Sequence, residues 1–220
     1  MAEENYRTDL AFDAADEYRP EPPAPPEIPA WKDGSVRIGI HTSIAWDIAG
    51  SLDLRAGHWN LHIWPHRHYE QLLAACARLA VRGPLLVLDC NRRYNPAVVA
   101  RAARGRPEIT DRIQSQRAFI CYEVVKLLQR TPATRTPVMV LDMLASFYDE
   151  NVQLRMRWFL MENSILHLKR LSSGGGLAVF IGPPPTGSDS LPLFERFQSA
   201  ASQVLTYQVQ APEPEQLGLF

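Results

Sequence analysis

The chain has 220 residues, 46% of them hydrophobic, enough for one sizeable core and a single domain with tails. Its formal net charge of -1 conceals an asymmetry: residues 1–30 hold eight acidic side chains against Arg7 and Arg19, which leaves sixteen acids and 21 bases elsewhere, a body of about +5. Three widely spaced cysteines exclude a disulfide framework, no basic start precedes an apolar run, and no stretch reaches the length of a membrane span, so a cytoplasmic protein without a membrane partner is expected.

In chain order, residues 1–30 read as a disordered, acidic N-terminal tail that ends in the stiff, proline-dense "RPEPPAPPEIPAW". The body, residues 31–210, alternates short β-rich runs with amphipathic ones. "HWNLHIW" precedes a predicted helix over 69–81, "PLLVLDC" one over 96–103, and "SQRAFI" one over 122–129. "PVMVLDML" then leads into a helix over 153–171, "GLAVFI" into one over 193–202, and "VLTYQVQ" reads as a closing strand. Strands that alternate with helices predict βαβ units, hence an α/β fold with a mostly parallel sheet flanked by helices. "LLVLD" and "VMVLD" lack polar alternation, as central strands buried on both faces do. Residues 211–220 are expected to form a flexible tail that carries a peptide for a partner.

Two of these strands end in aspartate, Asp89 and Asp142. Ligands of open parallel sheets bind beyond the carboxyl ends of the strands, so both carboxylates are expected at one crevice, either holding a metal or capping the next turn.

Taken together, "LDCNRRYNPAVVARAA", "RAFICYEVVKLL" and "VMVLDMLASFY...LKRLSSGGGLAVFI" resemble, in order and spacing, successive segments of the RecA-type recombinases, over roughly residues 55–185. The resemblance implies a RecA-like P-loop NTPase fold with an ATP site at the strand ends and oligomerisation on DNA. Several departures then imply that the ATP site is degenerate. Where the family has a phosphate loop G-x-x-x-x-G-K-[ST], this chain has "WPHRHYEQ". Pro65 fits the pattern, but Trp64 and Tyr69 stand at glycine positions, Glu70 stands for the lysine, and Gln71 for the hydroxyl that would hold Mg²⁺. Asn91 replaces the glutamate that orients the attacking water, and an amide is no general base. Gly182, Pro183 and Pro184 replace the residues that sense the γ-phosphate; only Asp89 and Asp142 keep the family identities. No cofactor, no metal and no catalytic residue are therefore expected, and an unorthodox ATPase is the alternative.

The expected DNA loops are also poor in contacts, "YDENVQ" being short and "GPPPTGSDS" lacking any Lys, Arg or aromatic, so contact with DNA is expected to be indirect. Arg92, Arg93, Arg101, Arg104 and Arg106 read either as solvated helix faces or as a phosphate-tracking patch. His58, His62, His66 and His68 are crowded in sequence but lack the spacing of a zinc site. "FDAA", with Phe12 and Ala15, fits the F-x-x-A pattern by which recombinase linkers dock on a neighbouring core.

The last five residues, "QLGLF", resemble the peptide by which bacterial replication and repair proteins bind the sliding clamp. The resemblance implies directional hydrogen bonds from Gln216 and burial of Leu217, Leu219 and Phe220 in apolar subsites of the clamp. The whole is similar to ImuA-type accessory proteins of bacterial mutagenic repair. A non-catalytic protein of DNA repair or translesion synthesis is expected, nucleoid-associated, with the clamp and an error-prone polymerase or a RecA-type recombinase as partners. The alternative is a regulator of recombinase filaments that acts by core-to-core contact.

Overall fold

The computed structural model describes residues 38–41, 52, 54–186 and 189–207. The two tails, and with them Phe12, Ala15, Gln216, Leu217, Leu219 and Phe220, lie outside the described residues.

The elements are β1 (Ile38–His41), β2 (Trp59–Ile63), α1 (Tyr69–Arg82), β3 (Leu85–Asp89), α2 (Pro96–Ala102), α3 (Pro107–Thr110) and β4 (Ile113–Arg117), followed by α4 (Cys121–Arg130), β5 (Val138–Leu141), α5 (Leu154–Gly174), β6 (Leu177–Ile181), α6 (Ser190–Ala200) and β7 (Gln203–Tyr207). Two 3-10 helices, His66–His68 and Met143–Tyr148, follow β2 and β5. The strands form one seven-stranded sheet in the order β1-β7-β2-β6-β5-β3-β4, and every pairing is parallel.

The central strands β3, β5 and β6 are buried at every position, which is why their sequences show no alternation. Alternate residues feed two cores. Leu86, Leu88, Val138, Val140, Leu177 and Val179 face α4, α5 and α6; Leu85, Val87, Met139, Leu141, Ala178 and Phe180 face α1, α2 and α3. Local signals set the boundaries: Asn95 caps α2 by accepting the Ala97 N–H, with Pro96 in the first helical position. At the close of α5 the chain turns through Gly174–Gly176, and a side chain on Gly176 would run into the backbone of Leu54.

Three expectations are corrected. The β4 strand runs over Ile113–Arg117 rather than 115–120, because at the sheet edge its residues are mostly exposed and leave no apolar pattern. α6 begins at Ser190, three residues before the expected start. β1, α3 and both 3-10 helices went unanticipated, each being too short to show a period.

Candidate functional site

All parallel strands point their carboxyl ends to one edge, where the β2–α1, β3–α2 and β5 connections meet. There the chain fills its own crevice.

Asp89 ends β3 and is fully buried. Its Oδ1 accepts the backbone N–H of Arg93 at 2.7 Å and of Asn91 at 3.4 Å. Its Oδ2 accepts the N–H of Tyr94 at 3.2 Å and Nε of Arg117 at 3.1 Å. Asp89 is thus the organiser of the turn that follows it, an Asx-type role extended over five residues.

Asp142 follows β5, equally buried, with φ 53° in the left-handed region. Its Oδ2 takes two side-chain donors at 2.8 Å, Nδ2 of Asn91 and Nε of Arg93, and its Oδ1 faces the Gly182 N–H at 3.4 Å. Arg93 continues outward. Its Nη2 lies 3.1 Å from Nδ1 of His66, which can accept this bond in the Nε2-protonated tautomer. The guanidinium also sits 5.0 Å from the centre of the Tyr69 ring. One side chain therefore ties the β2–α1 connection to the residue that ends β5.

The β2–α1 connection is built for packing. Trp64 is fully buried, its backbone N–H donates to the Ile181 carbonyl at 2.7 Å, and its ring packs at 4.6 Å between ring centres on Tyr207. Pro65 leads into the 3-10 turn, and the buried Tyr69 starts α1 with its ring stacked on His66. Burial, then the nearby Asp142 charge, pushes the Tyr69 hydroxyl far above its ordinary pKa, and the hydroxyl has no hydrogen-bond partner among the described residues. Cys90, between the two aspartates, is likewise raised by burial and then by both charges. Glu70 is exposed, and Gln71 is half-buried with its Oε1 unpartnered. Gly182 lies so close to the His66 ring that a side chain there would displace it.

The structure brings Asp89, Asn91 and Asp142, which the sequence placed at one crevice, to the same sheet edge. It missed Arg93, read there as a member of a surface patch, and His66; the signal was an arginine four residues after the turn-forming Asp89. The four histidines do not converge: His58 is exposed, His62 is buried with Nδ1 3.0 Å from the Tyr207 hydroxyl and its ring stacked on Phe180, and His66 meets Arg93. No group of three or more metal-ligating side chains occurs among the described residues. No described helix is long and apolar enough to cross a membrane.

No family model matches the chain, and no curated protein matches it.

Proposed function

We propose that the chain is a RecA-like core that has given up ATP chemistry and serves as an accessory protein in DNA repair or translesion synthesis, binding the bacterial sliding clamp through Gln216, Leu217, Leu219 and Phe220. Its core then bridges the clamp to an error-prone polymerase or a RecA-type recombinase, in the cytoplasm and close to the nucleoid.

The observation that carries the non-catalytic half is the Arg93–Asp142 pair. A magnesium-bound nucleotide would need the Asp142 carboxylate, which here accepts both Arg93 and Asn91. Displacing Arg93, itself about one-third exposed, costs roughly 2–3 kcal/mol, or about 30- to 150-fold in affinity. Trp64 fills the place of a loop glycine, and Glu70 presents a negative charge where a phosphate would need a positive one. The clamp half rests on the identity of the last five residues and on the adjoining "APEPE", whose prolines disfavour continuation of regular structure.

The test is a pull-down of purified bacterial clamp by the full chain and by a chain ending at Glu215, with calorimetric titration of Mg·ATP in parallel. Clamp retention only by the full chain, at about micromolar affinity, with no heat of nucleotide binding, is the expected result. Retention by both chains would remove the clamp peptide, and micromolar ATP binding would remove the non-catalytic reading.

A further inference from the structure

We infer that the outer surface of α1, α2 and α3 binds the phosphate backbone of duplex nucleic acid directly, without reading base sequence. This goes beyond the proposed function, in which contact with DNA is indirect, and depends on neither the clamp peptide nor the ATP site.

The three helices cover one face of the sheet and share one core, α2 and α3 both packing on α1. Residues 69–112 expose seven arginines; apart from Arg92, which lies over the Phe119 ring, these are Arg78, Arg82, Arg101, Arg104, Arg106 and Arg112, against three exposed carboxylates, Glu70, Glu108 and Asp111. Glu70 sits at the start of α1, beside the crevice, whereas Arg78 and Arg82 lie in its last two turns, at the other end. Arg112 joins them there, its Nη1 donating to the Val81 carbonyl at 3.1 Å. Between α2 and α3 the chain passes through Arg104 at φ 54° and Gly105 at φ 71°, so Arg101, Arg104 and Arg106 cluster around one tight turn.

Five of these charges have no carboxylate partner among the described residues: Arg78, Arg101, Arg104, Arg106 and Arg112 form no ion pair there. The opposite face is more mixed: there Arg157 pairs with Asp189 and Arg196 with Glu162, and the exposed Lys126, Arg130, Arg135, Arg155 and Lys169 are interspersed with Glu123, Asp149, Glu150 and Glu195.

Residue type favours phosphate. Only Lys32, Lys126 and Lys169 among the 23 basic residues are lysines, and none lies on these helices. A guanidinium fork matches two phosphate oxygens, where an ammonium offers a point charge. The face exposes no large aromatic, Val81 being its one exposed large apolar side chain among the described residues, so it has nothing to stack on unpaired bases. Backbone contact of this kind positions a protein on a duplex and carries no sequence information.

The experiment is fluorescence anisotropy of a labelled duplex of arbitrary sequence, about 30 base pairs, titrated with the full chain between roughly 50 and 200 mM salt. Four to six phosphate contacts give a log–log salt slope of about -4 to -5. Replacing Arg101, Arg104 and Arg106 together by Glu should weaken binding at least about tenfold and reduce the slope by about 2 to 3, with an unchanged circular-dichroism spectrum. The same reversal of Lys126 and Lys169 should leave affinity within about twofold. The proposal is overturned if the duplex does not bind at low salt, if the triple variant binds as wild type does, or if the lysine variant is weakened as much. Binding of a labelled peptide of residues 1–30, whose net charge is opposite, in place of the duplex would assign the face to an acidic polypeptide and overturn it as well.

Discussion

Asp89 and Asp142 close adjacent strands, are both buried, and stand about as alike in sequence as two residues can, yet they serve different regions. The β3–α2 connection wraps around Asp89, which collects three backbone N–H groups from the five residues after it. The β5 connection leaves Asp142 to side chains from elsewhere, and its two shortest bonds come from residues 51 and 49 positions away. A buried carboxylate that organises its own turn is locked into the fold. One held by side chains from the connection after another strand can exchange partners without disturbing its own turn, and the difference lies in what is lost when each is removed.

The largest effect is expected from Asp89→Ala, which orphans three backbone donors together with the half-exposed Arg117. Most of the loss should come from the backbone groups, since an exposed arginine contributes little. A fall of roughly 3–5 kcal/mol in urea unfolding is expected. Arg93→Met should cost less, about 2–3 kcal/mol, because Asn91 still bonds Asp142 and water can reach the vacated position. Hydrogen exchange in the second variant should rise in residues 64–68 and 142–148 while β3 stays protected. If Arg93→Met costs as much as Asp89→Ala, the two sites are not distinct in the way proposed.

The same contrast separates what was legible in the sequence from what was not. β3, β5 and β6 could be read because burial on both faces forces unbroken apolar runs, and Asp89 and Asp142 because they end those runs. Asn91 was read as a missing base, and its position in the crevice followed from Asp89 two residues earlier. Arg93 was not legible, since its partner Asp142 lies across a non-local pairing of strands and an arginine in a polar turn has many exposed fates. β4 was misplaced for the complementary reason: an edge strand that buries little writes little into its sequence.

A smaller effect should appear in alkali. Tyr69 and Cys90 have folded pKa values raised above their ordinary 10.0 and 9.0, so the folded state holds them neutral. Stability is then complete below about pH 9 and falls as pH rises and the unfolded chain ionises first, by up to about 1.4 kcal/mol per pH unit for each group. Burial is the leading cause for both, and Asp142 contributes to both. Asp142→Asn should therefore flatten the decline only slightly, which denaturation midpoints between pH 8 and pH 10.5 would register. A slope unaffected by the variant would mean that the Asp142 charge is fully compensated by Arg93.

The smallest effect is expected at Glu70, which sits beside the crevice yet belongs to neither aspartate. It is exposed and forms no ion pair among the described residues, so Glu70→Lys should change stability by no more than about 0.5 kcal/mol. On the proposed RecA-like reading, the substitution supplies the charge that a phosphate-loop lysine would carry and changes nothing else in the crevice. Trp64 still fills the core, His66 still lies against Gly182, and Asp142 still accepts Arg93. Calorimetry of Glu70→Lys with Mg·ATP should accordingly show no binding. Binding by this variant alone would mean that Arg93 leaves Asp142 readily, that the crevice is open rather than filled, and that one lysine is all that separates it from a nucleotide site.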